Sequence, residues 1–367
     1  MSEPIRIGII GCGQIAQQHM RSYAELPGAK MVAFCDIDLA AAEKAKEAYD
    51  GDMATTDFRE ILKRSDIDAV DVCLHNNLHM PATVAGLEAG KHVYCEKPMA
   101  GSYVDAVTMK NAAEKAGKHL HIQLSTLYSN EARAAKTLID EGALGEVFHA
   151  RSTGFRRRGR PYVDGYGTPS FVQKKSASGG ALYDMGVYHI SQILFLLGNP
   201  GVERISGKTF QKMEMDAKRL EISNYDVEEL GVGFVRLTEG RSMELIESWA
   251  AYLDGFEGSY ILGSKGGIRM EPFGYFSSIG HLSMNSTINL GEARYRWDNV
   301  VGDGPDYGSS QGHWIAALQG RVELLPTAEI ALNTMLISEG IYLSEKLGRE
   351  VTKEEVLESS VSTALTL

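Results

Sequence analysis

Basic residues are in the minority, with 37 Lys and Arg against 48 Asp and Glu and a formal charge of −11. That balance argues against a nucleic-acid partner, because holding a phosphate backbone relies on Lys and Arg displacing counterions. Cysteine is scarce: Cys12, Cys35, Cys73 and Cys95 lie in or beside apolar runs, with no CxxC and no clustered Cys/His spacing. They read as reduced core thiols of a cytosolic protein, and no metal is expected. No apolar run reaches the length of a membrane span. The opening MSEPIRIGIIGCG enters a strand pattern with neither a basic n-region nor a long apolar h-region, so the expected location is cytoplasmic, without a membrane partner.

What is present divides into two patterns. A chain of 367 residues exceeds what one core usually serves, so two domains are expected. From Arg6 to about Ile122 short apolar strands (IRIGII, MVAFC, AVDVCL, HVYCE, HLHIQ) alternate with longer helical segments, which predicts a doubly wound parallel sheet. After Gly142 come longer alternating strands such as VFHARSTGF, LGVGFVRL and SMELIESWAAY, interrupted by helices over about Met185–Leu197 and Ala328–Leu347. The expected architecture is an α/β domain over 1–124 followed by an α+β domain over 125–367. The second holds a large, mostly antiparallel sheet open on one face. An open apolar face predicts a homo-oligomer, a dimer or tetramer, with Trp249, Tyr252 and Phe256 as contributors.

Gly11-Cys12-Gly13-Gln14-Ile15-Ala16 follows the strand IRIGII and opens a helix, the context in which GxGxxG/A acquires meaning. Gly11 permits the tight turn, Gly13 lets backbone approach a pyrophosphate, and Ala16 allows close helix packing, while the helix N-terminus attracts the anion. Asp36 closes the next strand at the distance where a carboxylate accepts ribose hydroxyls. With Asp38 nearby and no adjacent Arg, this favours NAD over NADP in a Rossmann domain. The alternative for Asp36 is capping of the following helix.

Two further stretches carry a family resemblance. Asn76 to Pro98, with His79, Gly90-Lys91-His92 and the tripeptide Glu96-Lys97-Pro98, resembles a segment of the glucose-fructose oxidoreductase and inositol dehydrogenase (GFO/IDH/MocA) family. Gly179-Gly180-Ala181-Leu182-Tyr183-Asp184-Met185-Gly186-Val187-Tyr188 resembles that family's second motif. The resemblance implies cofactor contacts from Asn76, His79, Glu96 and Lys97. It also implies a group of Lys97, Asp184 and Tyr188 near the nicotinamide.

The residues support that grouping on their own terms. Lys97 stands at the carboxyl end of a parallel strand, where open α/β sheets place ligands. Asp184 is placed like an N-cap, and Tyr188 lies about 40° round the same helix face. A free tyrosine titrates at about 10, and lowering it by about three units needs about 4 kcal/mol. A cation at about 4 Å in an effective dielectric near 20 supplies that order. His189 needs no such tuning, so the base is either Tyr188 or His189. Many family members have histidine where this chain has Tyr188, and an arginine where it has Leu127. The stretch Phe155-Arg156-Arg157-Arg158-Gly159-Arg160-Pro161-Tyr162-Val163-Asp164-Gly165-Tyr166 resembles one that borders the pocket of sugar-active members, and its arginine forks and tyrosine faces suit a polyhydroxylated ring, which makes Arg156, Arg158 and Tyr162 substrate candidates.

These features together predict an NAD-dependent dehydrogenase of a sugar, glycoside or cyclitol. Two alternatives stand beside it: a redox-neutral enzyme that retains its NAD to cleave a glycoside, and a non-catalytic regulator sensing NAD or sugar.

Overall fold

The strands IRIGII, AVDV and HVYC show little polar alternation because both of their faces are covered, as parallel strands require. In the computed structural model, which describes residues 3–366, they form a six-stranded parallel sheet. Its strands are β1 (Ile5–Ile10), β2 (Ala29–Cys35), β3 (Met53–Thr55), β4 (Ala69–Val72), β5 (His92–Cys95) and β6 (Leu120–Ile122). The order is β3-β2-β1-β4-β5-β6, the Rossmann order with its switch between β1 and β4. Two elements not expected from the pattern are β3 and the helix Phe58–Leu62. Three and five residues are too short to display a period.

The second sheet contains β7 (Val147–Phe155), β8 (Val202–Phe210), β9 (Leu230–Leu237), β10 (Ser242–Ser248), β11 (Tyr260–Gly263), β12 (Gly266–Arg269), β13 (Gly274–Ile279), β14 (Leu282–Ser286) and β15 (Val351–Thr352). Their order is β14-β13-β12-β11-β7-β10-β9-β8-β15. Every pair is antiparallel except β7 with β10. The helices Val187–Leu196 and Thr327–Leu347 cover one face. On the other face Val232, Ile246 and Phe234 are partly or fully exposed. The hairpin β13–β14 and the helix Asn130–Asp140, which Ser129 caps by accepting from the Ala132 N–H, extend the expected plan.

The two sheets share their packing. Trp314 and Ile315, on the helix Ser310–Leu318, lie in the same core as Ile7, Ile9 and Tyr94, so a late segment completes the first sheet's cover. Beside them, fully buried His121 has Nδ1 3.1 Å from Thr327 Oγ1 and Nε2 3.1 Å from Ser310 Oγ. His313, also fully buried, accepts the Leu325 N–H on Nε2, which makes it a packed helix residue rather than a pocket one. All four cysteines are buried and free. Among the described residues no helix is long and apolar enough to cross a membrane.

Burial, with His313 adding to it, holds His121 well below the ordinary histidine value of 6.5. The unfolded chain therefore takes up this proton first as pH falls. The contribution of His121 is complete above about pH 6.5 and is lost below it, at about 1.4 kcal/mol per pH unit until the folded ring protonates. Urea unfolding at pH 7.5 and pH 5.5 is expected to show that loss, reduced in His121→Gln; equal slopes in the two proteins would remove His121 from the account.

Candidate active site

The cofactor end begins at the glycine loop. Gly11 has φ +92°, and a Cβ there would run into the Cys73 carbonyl, so only glycine fits the turn. Around Gly13 no atom lies within 4 Å of where a Cβ would stand, which leaves backbone open to a close-approaching anion. Gln14 and Ile15 are exposed on the first turn of the helix Gln14–Ala24, whose N–H groups face that space. Asp36 Oδ2 accepts the Cys12 N–H at 2.8 Å and Oδ1 accepts the Asp38 N–H at 3.0 Å. An ionised carboxylate has about four acceptor sites, so capacity remains for a diol. Asp38, not Asp36, caps the next helix, accepting from Ala40 N–H at 3.0 Å. This set fits a dinucleotide.

Three residues expected to touch the cofactor are held by internal bonds. His79 is fully buried, with Nδ1 2.7 Å from the Pro98 carbonyl and Nε2 3.0 Å from that of Leu74. Burial holds its pKa below 6.5, so the neutral ring donates to one of these carbonyls and lies against the other, packed between the two strand ends. Glu96 Oε2 accepts the Lys97 N–H and its Oε1 lies 2.8 Å from His19 Nε2. Asn76 Nδ2 donates to the Ala177 carbonyl at 2.8 Å, which ties the first sheet to the loop crossing the cleft.

Lys97 follows β5 and is joined to Pro98 by a cis peptide. Its side chain crosses to the second unit: Nζ lies 3.0 Å from Asp184 Oδ1, 3.2 Å from the Asp184 carbonyl and 4.6 Å from the centre of the Tyr188 ring. The cleft there has a volume of about 180 Å³ and is lined by Ile15, Asn76, Lys97, Phe171 and Tyr188 among others. A larger cavity of about 530 Å³ lies behind the same motif, against Gly179, Tyr183 and Glu228, but contains none of the Lys97, Asp184 and Tyr188 side chains. Chemistry rather than size therefore locates the site.

Asp184 is not an N-cap. It sits within a π-helical turn, Leu182–Gly186, continuous with the helix Val187–Leu196. Such turns recur at functional sites because they re-aim side chains. Glu228 fixes this turn by accepting the Gly180 and Leu182 N–H groups, both at 2.9 Å, and a Cβ on Gly180 would collide with the Glu228 carbonyl. The paired glycines of the motif thus permit a carboxylate to hold the turn from behind. Asp184 Oδ2 accepts from the indole of Trp249 at 3.0 Å and lies 3.7 Å from Arg156. Trp249 is 1% exposed, so it belongs to the site and not to the open sheet face where it was expected.

Charge in the cleft follows from these contacts. Burial works against the Lys97 ammonium, but Asp184, Tyr188 and Glu96 outweigh it and raise its pKa. Burial likewise opposes ionisation of Asp184, and Lys97 with Arg156 reverses the effect, holding its carboxyl below the ordinary range. Tyr188 goes the other way. Burial lifts its hydroxyl above 10.0 even though Lys97 pulls it down, so the lysine does not bring this tyrosine to neutrality. His189 turns toward the sheet, where Nδ1 lies 2.8 Å from Glu247 Oε2 and the ring packs beside Gly154. Burial disfavours its cation, yet fully buried Glu247 raises it above 6.5.

The arginine loop separates by role. Arg160 is fully buried, bonded to Asp164 through Nε and Nη2 and to Glu229 through Nη1. Arg158 is exposed, and Tyr162 lies under Arg219. Neither contacts Lys97 or Asp184. Arg156 remains at the cleft and bonds Tyr166, the aromatic at the end of the arginine-rich stretch.

Replacing Trp249 with Phe removes one donor from Asp184, and a hydrogen bond to a charged group contributes about 1.5–3 kcal/mol. Asp184 is expected to titrate at least about one unit higher in W249F, read by carboxyl ¹³C NMR. An unchanged titration would reduce Trp249 to packing.

Comparison with known proteins agrees over both units. Residues 5–124 match the model of the oxidoreductase family with the NAD-binding Rossmann fold, and residues 132–269 match the GFO/IDH/MocA C-terminal domain. D-Glucoside 3-dehydrogenase of Escherichia coli K12 is 27% identical over 358 residues, 95% of this chain and 98% of that protein. Levoglucosan dehydrogenase of Pseudarthrobacter phenanthrenivorans is 29% identical over 209 residues, 53% of this chain and 51% of that protein. A levoglucosan dehydrogenase solved with NADH and levoglucosan shares the fold at a TM-score of 0.76 and 20% identity, over 95% of this chain and 99% of that one. With both family models matched in sequence order, the chain belongs to the GFO/IDH/MocA family of NAD-binding oxidoreductases.

Proposed function

We propose that this protein is an NAD-dependent dehydrogenase transferring a hydride between a ring secondary hydroxyl of a sugar, glycoside or cyclitol and the nicotinamide. The observation that carries the reading is the Lys97–Asp184 pair at 3.0 Å beside the Tyr188 ring, at the carboxyl end of β5. The full-length similarity to a D-glucoside 3-dehydrogenase supports the substrate class.

When bound, the nicotinamide supplies the hydride acceptor, or the donor in the reverse reduction. Backbone of Gly11, Gly13, Gln14 and Ile15 holds the pyrophosphate. Asp36 takes the ribose hydroxyls, and with Asp38 repels a 2'-phosphate, which favours NAD over NADP. Lys97 presents an ammonium to the reacting hydroxyl and stabilises the oxygen as negative charge develops there. Asp184, oriented by Trp249, accepts from a neighbouring hydroxyl, and Arg156 with Tyr166 forms the adjoining wall. Tyr188, once its own proton has passed to solvent, takes the hydroxyl proton on its phenolate oxygen, since its ring stands at Lys97 while His189 is engaged by Glu247. The exposed sheet face around Phe234 is the surface for a homo-oligomer.

Purified protein with NAD and a panel of free sugars, cyclitols and glucosides is expected to accumulate NADH with one class. Lys97→Ala should lose about 10²-fold or more, and Asp36→Ala should weaken NAD binding. No NADH with any member, despite tight NAD binding, would sink the proposal.

The choice of base has its own signature. Because the Tyr188 pKa is raised, oxidation is expected to accelerate with pH into the alkaline range, and Tyr188→Phe should cost about 10²–10⁴-fold. A rate that instead rises near neutrality and collapses in His189→Asn would transfer the role to His189.

A further inference from the structure

Beneath the active site, and outside the machinery described so far, lies a cluster of buried ionisable side chains. His19 stands on the second turn of the glycine-loop helix and is 1% exposed. Its Nδ1 lies 2.9 Å from Oδ2 of Asp71 on β4, and its Nε2 lies 2.8 Å from Oε1 of Glu96, just after β5. Both carboxylates are buried. The second oxygen of each is already accepting: Asp71 Oδ1 from the Cys73 thiol at 3.3 Å, Glu96 Oε2 from the Lys97 N–H at 2.8 Å. Two ionised carboxylates offer no proton, so both ring nitrogens must donate, which requires an imidazolium. Tyr94 meets the ring edge-on at 5.5 Å, and Tyr23 packs on Tyr94 from the same helix.

His19, Asp71 and Cys73 are spaced closely enough to hold a metal ion. Both imidazole nitrogens are nevertheless committed to carboxylates, which leaves no lone pair for an ion. The arrangement is a chain of charges, and it ends at the backbone of the residue that enters the active site. Three elements meet in it: the helix that receives the cofactor, β4 and β5. An imidazolium so placed holds Glu96 against the Lys97 N–H. It thereby fixes where the Lys97 side chain departs toward Asp184.

We propose that His19, as an imidazolium bridging Asp71 and Glu96, is a positioning residue for Lys97 and couples the cofactor-binding helix to the catalytic lysine. Burial opposes the His19 cation, but Asp71 and its neighbours outweigh burial and raise its pKa. Glu96 is lowered against the effect of its own burial, with His19 the main cause. Without the imidazolium, Glu96 becomes a buried carboxylate that must take up a proton or turn toward the Lys97 ammonium. Either response loosens the Lys97–Asp184 pair while leaving the glycine loop and Asp36 in place.

The role rests on the dehydrogenase reading, and the test separates the two. In the wild-type protein, ¹⁵N NMR of the His19 ring is expected to show both nitrogens still protonated well above the ordinary histidine value of 6.5, a readout that needs no substrate. Loss of a ring proton near neutrality would overturn the proposal. For His19→Gln the expected result is a kcat lower by about 10- to 100-fold with NAD affinity changed by less than about threefold, because supporting residues act through the group they orient. A folded H19Q with unchanged kcat would also overturn it, whatever its melting temperature. If H19Q does not fold, H19Q combined with Asp71→Asn removes His19 together with one of its two buried counter-charges, leaves Glu96 unsupported, and must show the same kcat loss. Absence of dehydrogenase activity in the wild type would sink the functional reading while leaving the imidazolium result intact.

Discussion

One ion pair holds the working parts of this molecule in register: Lys97, from the end of the parallel sheet, against Asp184, from the helix lying on the antiparallel one. Both side chains are largely withdrawn from water, so breaking the pair leaves an uncompensated charge in a poor solvent, at a cost of about 3–5 kcal/mol. The two ends are therefore supported separately. At the lysine end Glu96 accepts the backbone N–H and His19 holds Glu96. At the aspartate end Glu228 holds the π-helical turn and Trp249 holds the carboxylate. Neither sheet alone contains a site.

The same pair determines how charge is distributed in the cleft. At Tyr188, burial, with Glu96 and Asp184 adding to it, outweighs the Lys97 ammonium, and the tyrosine remains a weak acid. A hydroxyl bound between Lys97 and Tyr188 would compete with Asp184 for the ammonium and draw its charge toward the reacting oxygen. Preorganised charge of this kind acts most strongly where charge develops during reaction. His189 sits outside this balance, because Glu247 provides it with a buried counter-charge of its own.

How much of this the sequence disclosed follows from distance along the chain. The glycine loop, Asp36 and the helix after β1 act within about thirty residues and obey local rules of turn, cap and dipole, so their pattern survives translation into one dimension. The strands of the first sheet declared themselves as apolar runs because both faces are covered. Lys97, Asp184 and Tyr188 were found through motifs, but their partners were not. Trp249 read as an aromatic for an open sheet face, but it follows β10, where its N–H donates to the Glu229 carbonyl, and its indole donates to Asp184. Nothing near His19 in the chain marks it, since its carboxylates lie 52 and 77 residues away.

The arginine loop shows why specificity is harder to read than chemistry. Four arginines, Arg156, Arg157, Arg158 and Arg160, look equivalent in a string, yet their fates depend on what the loop meets. Asp164 and Glu229 bury Arg160, whose fork needs two carboxylates to offset its desolvation. That anchoring fixes the loop's path and leaves Arg156 at the cleft with Tyr166, while Tyr162, in the left-handed region at φ +59°, faces Arg219 instead. The substrate wall is thus set by an anchoring residue that never touches substrate. Sequence differences at Asp164 or Glu229 would re-aim Arg156 as surely as a change at Arg156 itself. On the proposed function, substrate preference depends on what holds the loop, and reaction type on Lys97, Asp184 and Tyr188.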